Sequence, residues 1–158
     1  MNDTTKAYLA GFIDGEGCIR IVECKAKWSR GSINPRFREH LQVSNTNFEV
    51  MEWIRENFGG CITVKSEGIK KDGIYRKKQW KICWYDLQAV NLLKLMLPFL
   101  IVKNEEARVC IEFSEVKKQQ GLSKDRHTKG RSGVVAFTDE EINLRRNFAK
   151  KLSELKKR

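Results

Sequence analysis

Between Tyr8 and Gly17 the chain reads Tyr-Leu-Ala-Gly-Phe-Ile-Asp-Gly-Glu-Gly, and no other stretch restricts the fold so tightly. The spacing of Tyr8, Leu9, Phe12 and Ile13 predicts a helix from Thr4 to Asp14, with Thr4 or Thr5 as its cap. Gly11 and Gly15 then lie four apart on one helix face. Together with Ala10 they leave that side almost bare, so another backbone can come close. An interior glycine costs a helix roughly 1 kcal/mol against alanine. Two of them in one short helix imply a packing or functional reason. Asp14 and Glu16 follow where the helix macrodipole is negative and opposes acids. A cation placed there removes the conflict.

Downstream, residues 18–27 and 36–44 alternate as strands around the turn-rich segment 29–35. Thr46 and Glu49 have capping-box spacing for a helix that ends at Phe58-Gly59-Gly60. Two more strands, 61–68 and 75–85, flank the hairpin signal Asp72-Gly73. Asp86 is placed to cap a helix to about Leu97, where Pro98 breaks it, and another helix runs from about Lys103 to Gln119. After a polar linker, Thr138 and Glu141 form a second capping box. The helix they open has Ile142, Leu144, Phe148, Leu152 and Leu155 as its docking face, and Arg145, Arg146, Lys150 and Lys151 read as solvated. The fold class is therefore α+β, an α-β-β-α-β-β-α core with one four-stranded antiparallel sheet backed by helices. The core is expected over residues 1–119, with 120–158 a basic linker and a C-terminal helix packed on it. A chain of 158 residues suits one such domain.

Charge is unevenly spread. The 31 Lys and Arg against 20 Asp and Glu give a net charge of +11. Residues 18–45 carry six basic and two acidic side chains, 60–85 seven and two, and 117–158 thirteen and five, while the stretches between them are net acidic. Positive charge thus sits on the strands and the tail. Alternation refines the placement: Phe37, Leu41, Val43, Ile62, Val64, Trp80, Ile82 and Trp84 mark one apolar sheet face. The other holds Arg20, Arg36, Arg38, His40, Gln42, Thr63, Lys65, Tyr75, Lys77, Gln79 and Lys81. A face rich in such donors and short of acids suits a nucleic acid, with phosphates neutralised by Lys and Arg and base edges read by Arg and Gln. The alternative is a merely solvated sheet face. Glu23 and Glu39 fall on the apolar register and require a bulge or an edge position. In the linker, Lys124, Arg126, Lys129 and Arg131 are spaced to follow a phosphate backbone, and Lys156, Lys157 and Arg158 extend the basic tail.

Composition excludes other classes. Five cysteines and two histidines contain no CxxC pair, which argues against structural zinc and for reduced thiols. No run reaches the roughly 18 apolar residues of a membrane span, and residues 1–8 lack the regions of a secretory signal. An intracellular protein is expected.

The string Leu9-Ala10-Gly11-Phe12-Ile13-Asp14-Gly15-Glu16-Gly17 resembles the signature of the LAGLIDADG homing endonucleases, with Phe for Leu, Gly for Ala and Glu for Asp. The element order over about residues 4–115 resembles the family's core, and Pro98-Phe99-Leu100 before Lys103 looks like a stretch of its single-motif members. No second motif occurs. Single-copy members are homodimers, so the resemblance implies a homodimer with Ala10, Gly11, Asp14 and Gly15 at the interface. It implies that Glu16 and the Gly15 main-chain carbonyl ligate Mg2+, with Mn2+ as a substitute and Ca2+ binding without cleavage. Lys103 then stands near the scissile phosphate, and Asn45 orders water where related enzymes often have Gln. Glu49 stands where some members carry a base. The implied activity is site-specific cleavage of double-stranded DNA on a long pseudo-palindromic target, one phosphodiester per strand across the minor groove, leaving short 3′ overhangs. The alternative is a cleavage-deficient relative acting as a maturase on host-intron RNA or as a DNA-binding regulator. A basic scaffold or ribosome-associated domain would satisfy the charge but has no use for Gly11, Gly15 and Glu16.

Overall fold

The computed structural model describes residues 2–24, 35–69, 75–123 and 137–157. Its elements follow the predicted order: α1 (Asp3–Glu16), β1 (Gly17–Cys24), β2 (Arg36–Asn45), α2 (Phe48–Phe58), β3 (Cys61–Ile69), β4 (Tyr75–Tyr85), α3 (Asp86–Met96), α4 (Asn104–Ser123) and α5 (Asp139–Leu155). A 3₁₀ turn over Leu97–Phe99, with Pro98 inside it, separates α3 from α4. The fold is α+β. The strands form one antiparallel sheet in the order β1-β2-β4-β3. Gly17 stands opposite Val43, Arg20 opposite His40, and His40 opposite Tyr85 on its other side. β3 shifts register between Val64 and Ser66 and again between Ser66 and Gly68. Among the described residues no helix is long and apolar enough to cross a membrane.

The apolar register of the sheet lies inward. Ile19, Leu41, Val43, Ile82 and Trp84 are buried against Leu9 and Ile13 of α1, Met51 and Ile54 of α2, Leu93 and Met96 of α3, and Leu152 of α5. Ile21, Phe37 and Phe113 form a second buried group under Ile142 and Phe148. Trp84 donates its indole N–H to the Phe58 carbonyl at 3.0 Å. At Gly60, where φ is +94°, an added Cβ would lie 2.6 Å from Ile82 and 2.8 Å from the Trp84 ring, so the α2–β3 connection passes over the tryptophan only as glycine.

Several local expectations are corrected. α1 starts at Asp3, and its cap is Asn2, whose side chain accepts from the Thr5 N–H, rather than Thr4 or Thr5. α2 is capped by Asn47 on the Val50 N–H, one residue beyond the Thr46 box. Asp86 caps nothing. It sits at φ 51°, a region Asp tolerates, and its carboxylate takes Arg36 and Arg38, each at 2.9 Å. The outer sheet face is therefore not free of acidic partners.

Glu23 and Glu39 do lie on the inner register. β1 is an edge strand, and there Glu23 accepts from Arg146 of α5 at 2.7 and 3.1 Å. β2 is interior and pairs in continuous register with β1. Glu39 is wholly buried there and accepts from Lys117 of α4. On α5, Ile142, Phe148, Leu152 and Leu155 pack as predicted, and the expectation fails at positions 144 and 145. Leu144 is exposed, while Arg145 is buried, bonded to Gln120 at 3.0 and 3.1 Å with its guanidinium 3.9 Å over the Phe137 ring. The predicted Thr138–Glu141 capping box is present.

Candidate functional site

α1 passes into β1 without a loop. Gly17 is already extended, and its N–H returns to the Ile13 carbonyl. A Cβ at Gly17 would stand 2.4 Å from that carbonyl oxygen, so the junction demands glycine. Asp14, one turn earlier, reaches sideways to the segment before α4. One carboxylate oxygen accepts the N–H of Ile101 at 2.8 Å and of Val102 at 3.1 Å, and the other accepts that of Lys103 at 2.9 Å. The Lys103 ammonium donates back to the Asp14 carbonyl. α1 has no basic residue in its own last turn. Lys103 supplies that charge from 89 positions along the chain, at the end of the helix that carries Glu16.

Asp14 is thus a fastening acid. Asp14→Asn keeps one acceptor oxygen for three N–H donors and loses the charge that strengthens them. We expect a loss of about 1–3 kcal/mol in denaturant unfolding. An unchanged unfolding midpoint would show that the three bonds do not hold the segment.

The Gly11–Gly15 face of α1 is open. A Cβ built at either glycine meets nothing within 4 Å. Ile101 and Val102, beside the Asp14 fastening, are 87% and 73% exposed. Ala10, expected on the same bare face, is instead wholly buried in the chain's own core. It lies about 100° around the helix from Gly11.

Asn45 lies two residues beyond the Val43 that faces Gly17, so it ends β2 on the side where α1 ends. Its carboxamide oxygen accepts from the Asn47 N–H at 2.9 Å, closing the turn into α2. Glu49 does not join this group; it lines a cavity with Tyr8, Val50 and Trp53. Among the described residues no group of three His, Cys, Asp or Glu could hold a metal. At the α1 end one chain offers the Glu16 carboxylate and the Gly15 carbonyl, an all-oxygen set of the kind Mg2+ takes together with water and phosphate. Those donors fit a hard divalent cation but fill only part of its shell.

On the outer sheet face, Arg20, Thr63, Lys65, Tyr75 and Lys77 are exposed, and Gln42, Gln79 and Lys81 are half-buried. Lys65 donates to Ser44 at 3.1 Å. Lys124, Arg126, Lys129 and Arg131 lie outside the described residues. His40 differs from its neighbours: it shares their face but is 5% exposed. Burial, then the charges of Arg20, Lys81, Arg38 and Lys156, push its imidazole from 6.5 down to about 4. The unfolded chain binds this proton below about 6.5, whereas the folded chain resists it to about 4. Stability is therefore full above that window and falls as the pH drops through it. Melting temperatures from pH 7 to 4 are expected to decline, and His40→Phe to flatten the decline. Parallel curves for the two proteins would assign the acid sensitivity elsewhere.

Sequence patterns did not reveal the neighbours of Lys103. Lys156, at the end of α5, approaches the Cys18 thiol at 3.5 Å, two residues after Glu16. With Val102, Lys103, Glu105, Glu106 and Leu155 it lines a cavity of about 460 Å³. Glu106 is 8% exposed, and burial raises its pKa against the pull of Lys156 and Lys103. Its place in the first turn of α4 reads locally as an ordinary helix-start acid, and only packing distinguishes it.

A basic antiparallel sheet joined to an acid-tipped glycine helix sets the α+β class of the fold. The sequence model of the LAGLIDADG endonuclease family matches residues 9–83, from the glycine helix through most of β4. No curated protein matches the sequence. Among solved structures, the homing endonuclease I-CvuI in complex with I-CreI target DNA is 21% identical with a TM-score of 0.65, over 96% of this chain and 82% of that one. The archaeal intron-encoded homing endonuclease I-Vdi141I, complexed with DNA, is 20% identical with a TM-score of 0.63, over 97% of this chain and 84% of that one. The meganuclease I-SmaMI bound to DNA is 14% identical with a TM-score of 0.65, over 92% of this chain but 43% of that one. The fold is that of the homing endonucleases.

Proposed function

We propose that the chain is a site-specific double-strand DNA endonuclease acting as a homodimer on a long, pseudo-palindromic duplex. The observation that carries this reading is the Asp14 fastening, which joins Lys103 to the end of the Glu16 helix. The open Gly11–Gly15 face supports a second copy packing there, with Asp14 at its margin. Two sheets laid in successive major grooves would engage phosphates through Lys65, Lys77 and Lys81, and base edges through Arg20, Gln42 and Gln79. The basic segment with Lys124, Arg126, Lys129 and Arg131 would follow the backbone.

Glu16 and the Gly15 carbonyl would hold Mg2+ with a phosphate oxygen and water, and the copy's own Glu16 would complete the centre. A bound divalent cation lowers the pKa of water and stabilises charge on the phosphate and the leaving 3′ oxygen. The chain's own groups do the rest. An ammonium has three N–H donors, and Lys103 commits one to the Asp14 carbonyl, so the others can face the negative charge that grows on the phosphorane. The Asn45 amide orients the attacking water. Water attacks phosphorus, the 3′ oxygen departs with a proton, and each strand ends in a 5′ phosphate and a 3′ hydroxyl. Cuts staggered across the minor groove leave short 3′ overhangs.

The test is a randomised duplex library and a linearised plasmid carrying the selected sequence, incubated with Mg2+, Mn2+, Ca2+ or chelator. Cleavage at one sequence with Mg2+ or Mn2+, and retention without cutting in Ca2+, is the expected result. Retention without cutting in every metal would overturn cleavage and leave a DNA-binding regulator or an RNA maturase.

A further inference from the structure

Three arginines occupy the outer sheet face at Arg20, Arg36 and Arg38, and they are held differently. Arg36 and Arg38 share Asp86, and Arg38 also stacks on Tyr85 at 4.5 Å. Among the described residues Arg20 has no acid. Its terminal amino group lies 3.0 Å from Nδ1 of His40 and 3.4 Å from the Gln42 carboxamide oxygen. A guanidinium only donates, so Nδ1 must accept, which makes His40 neutral and protonated at Nε2. That Nε2 is buried without a partner among the described residues. The ring is fixed from the opposite side by Tyr85, with centroids 4.7 Å apart and planes 9° from parallel. Arg20, His40 and Tyr85 are cross-strand neighbours in one row of the sheet. The row borders a hollow of about 220 Å³ formed with Val22, Cys24 and Arg38.

Resting on the endonuclease reading above, we propose that His40 is a positioning residue that holds Arg20 as a guanine-reading side chain and does not itself touch DNA. His40 engages one N–H of the terminal amino group, and the second, at 3.4 Å from Gln42, is given up to the base edge, where it acts alongside the N–H of a neighbouring guanidinium nitrogen. Guanine presents O6 and N7 side by side in the major groove, the acceptor pair that a guanidinium matches bidentately. A fork already oriented loses less side-chain freedom on binding than a free one. Arg36 and Arg38, which share the Asp86 carboxylate, and the lysines, which bind as point charges, lack this combination. Sequence preference at the base facing Arg20 therefore depends on a residue buried beneath it.

The test begins with targets selected from the randomised duplex library by the wild-type protein. Each selected guanine is then replaced by 7-deazaguanine, which lacks N7. One replacement is expected to weaken wild-type binding roughly tenfold or more, and to leave Arg20→Ala binding unchanged. His40→Phe keeps the ring against Tyr85 but removes the acceptor, and is expected to lose most of that discrimination. Its melting temperature at pH 7 and its affinity for unselected duplex should stay near wild type. His40→Gln, which offers a carbonyl acceptor, should regain part of the discrimination. Full discrimination by His40→Phe, or no guanine whose effect disappears in Arg20→Ala, would overturn the inference while leaving the endonuclease reading standing. A library that yields neither selected sequence nor cuts would sink the endonuclease reading, and this inference with it.

Discussion

Glu16→Gln is expected to abolish cleavage while leaving target binding within a fewfold of wild type. The substitution keeps the length and shape of the side chain and removes only its charge. Glu16 is exposed at the tip of α1, so the exchange disturbs no packing. What it removes is the anionic ligand of the proposed metal centre, and a hard cation there would contribute several kcal/mol of charge stabilisation to phosphoryl chemistry. At about 1.4 kcal/mol per tenfold, the single-turnover rate should fall at least about a thousandfold. In the proposed complex binding comes mostly from Lys and Arg on the sheet and is measured separately, by gel shift in Ca2+. A rate within tenfold of wild type would remove Glu16 from the metal site. The contrast with Asp14 is informative. Asp14→Asn should lower stability and cleavage together, because that carboxylate fastens backbone, whereas Glu16→Gln should lower cleavage alone.

The element order and the two faces of the sheet were legible in the sequence because they rest on short periods. Phe37, Leu41 and Val43, or Trp80, Ile82 and Trp84, declare the inner face of a strand by alternation alone. The pairings that tune the site were not legible, because they join residues far apart in the chain. Asp86 takes Arg36 and Arg38 from 50 and 48 positions away, and Asp14 meets Ile101 to Lys103 from 87 to 89. Read locally, Asp86 is a helix cap and Asp14 one more acid in a motif. Glu39 resisted explanation for the same reason: an acid on a buried register is tolerable only with a cation, and Lys117 reaches it from α4. The Arg145–Leu144 exchange has a different cause. Hydrophobicity favours Leu144, but with Ile142 and Leu152 facing inward the helical repeat turns position 145 to the core. Gln120 and Phe137 then provide a guanidinium with hydrogen-bond and stacking partners.

Gly11→Leu should yield a chain that folds at least as well as wild type and no longer dimerises or cuts. Within one chain the new side chain meets open space at its Cβ, and replacing an interior glycine restores up to about 1 kcal/mol of helix propensity. Melting temperature should therefore hold or rise. Between chains the effect reverses. In a two-fold interface the same position approaches from both sides, so each misfit enters twice. Overpacking costs typically about 1–3 kcal/mol per site, or about 2–6 kcal/mol for the pair, which raises the dimer dissociation constant roughly 30- to 25,000-fold. Sedimentation across a concentration series, without DNA and on the selected duplex, reads the constant directly. A single Glu16 cannot assemble the proposed two-chain centre, so cleavage should fall with dimerisation. A Gly11→Leu protein that dimerises as tightly as wild type, or a wild type that stays monomeric on its duplex, would remove the glycine face from the mechanism. Stability that holds while dimerisation and cleavage are lost together, unlike the Glu16→Gln pattern, marks a side chain harmless to its own fold and intolerable to a second copy.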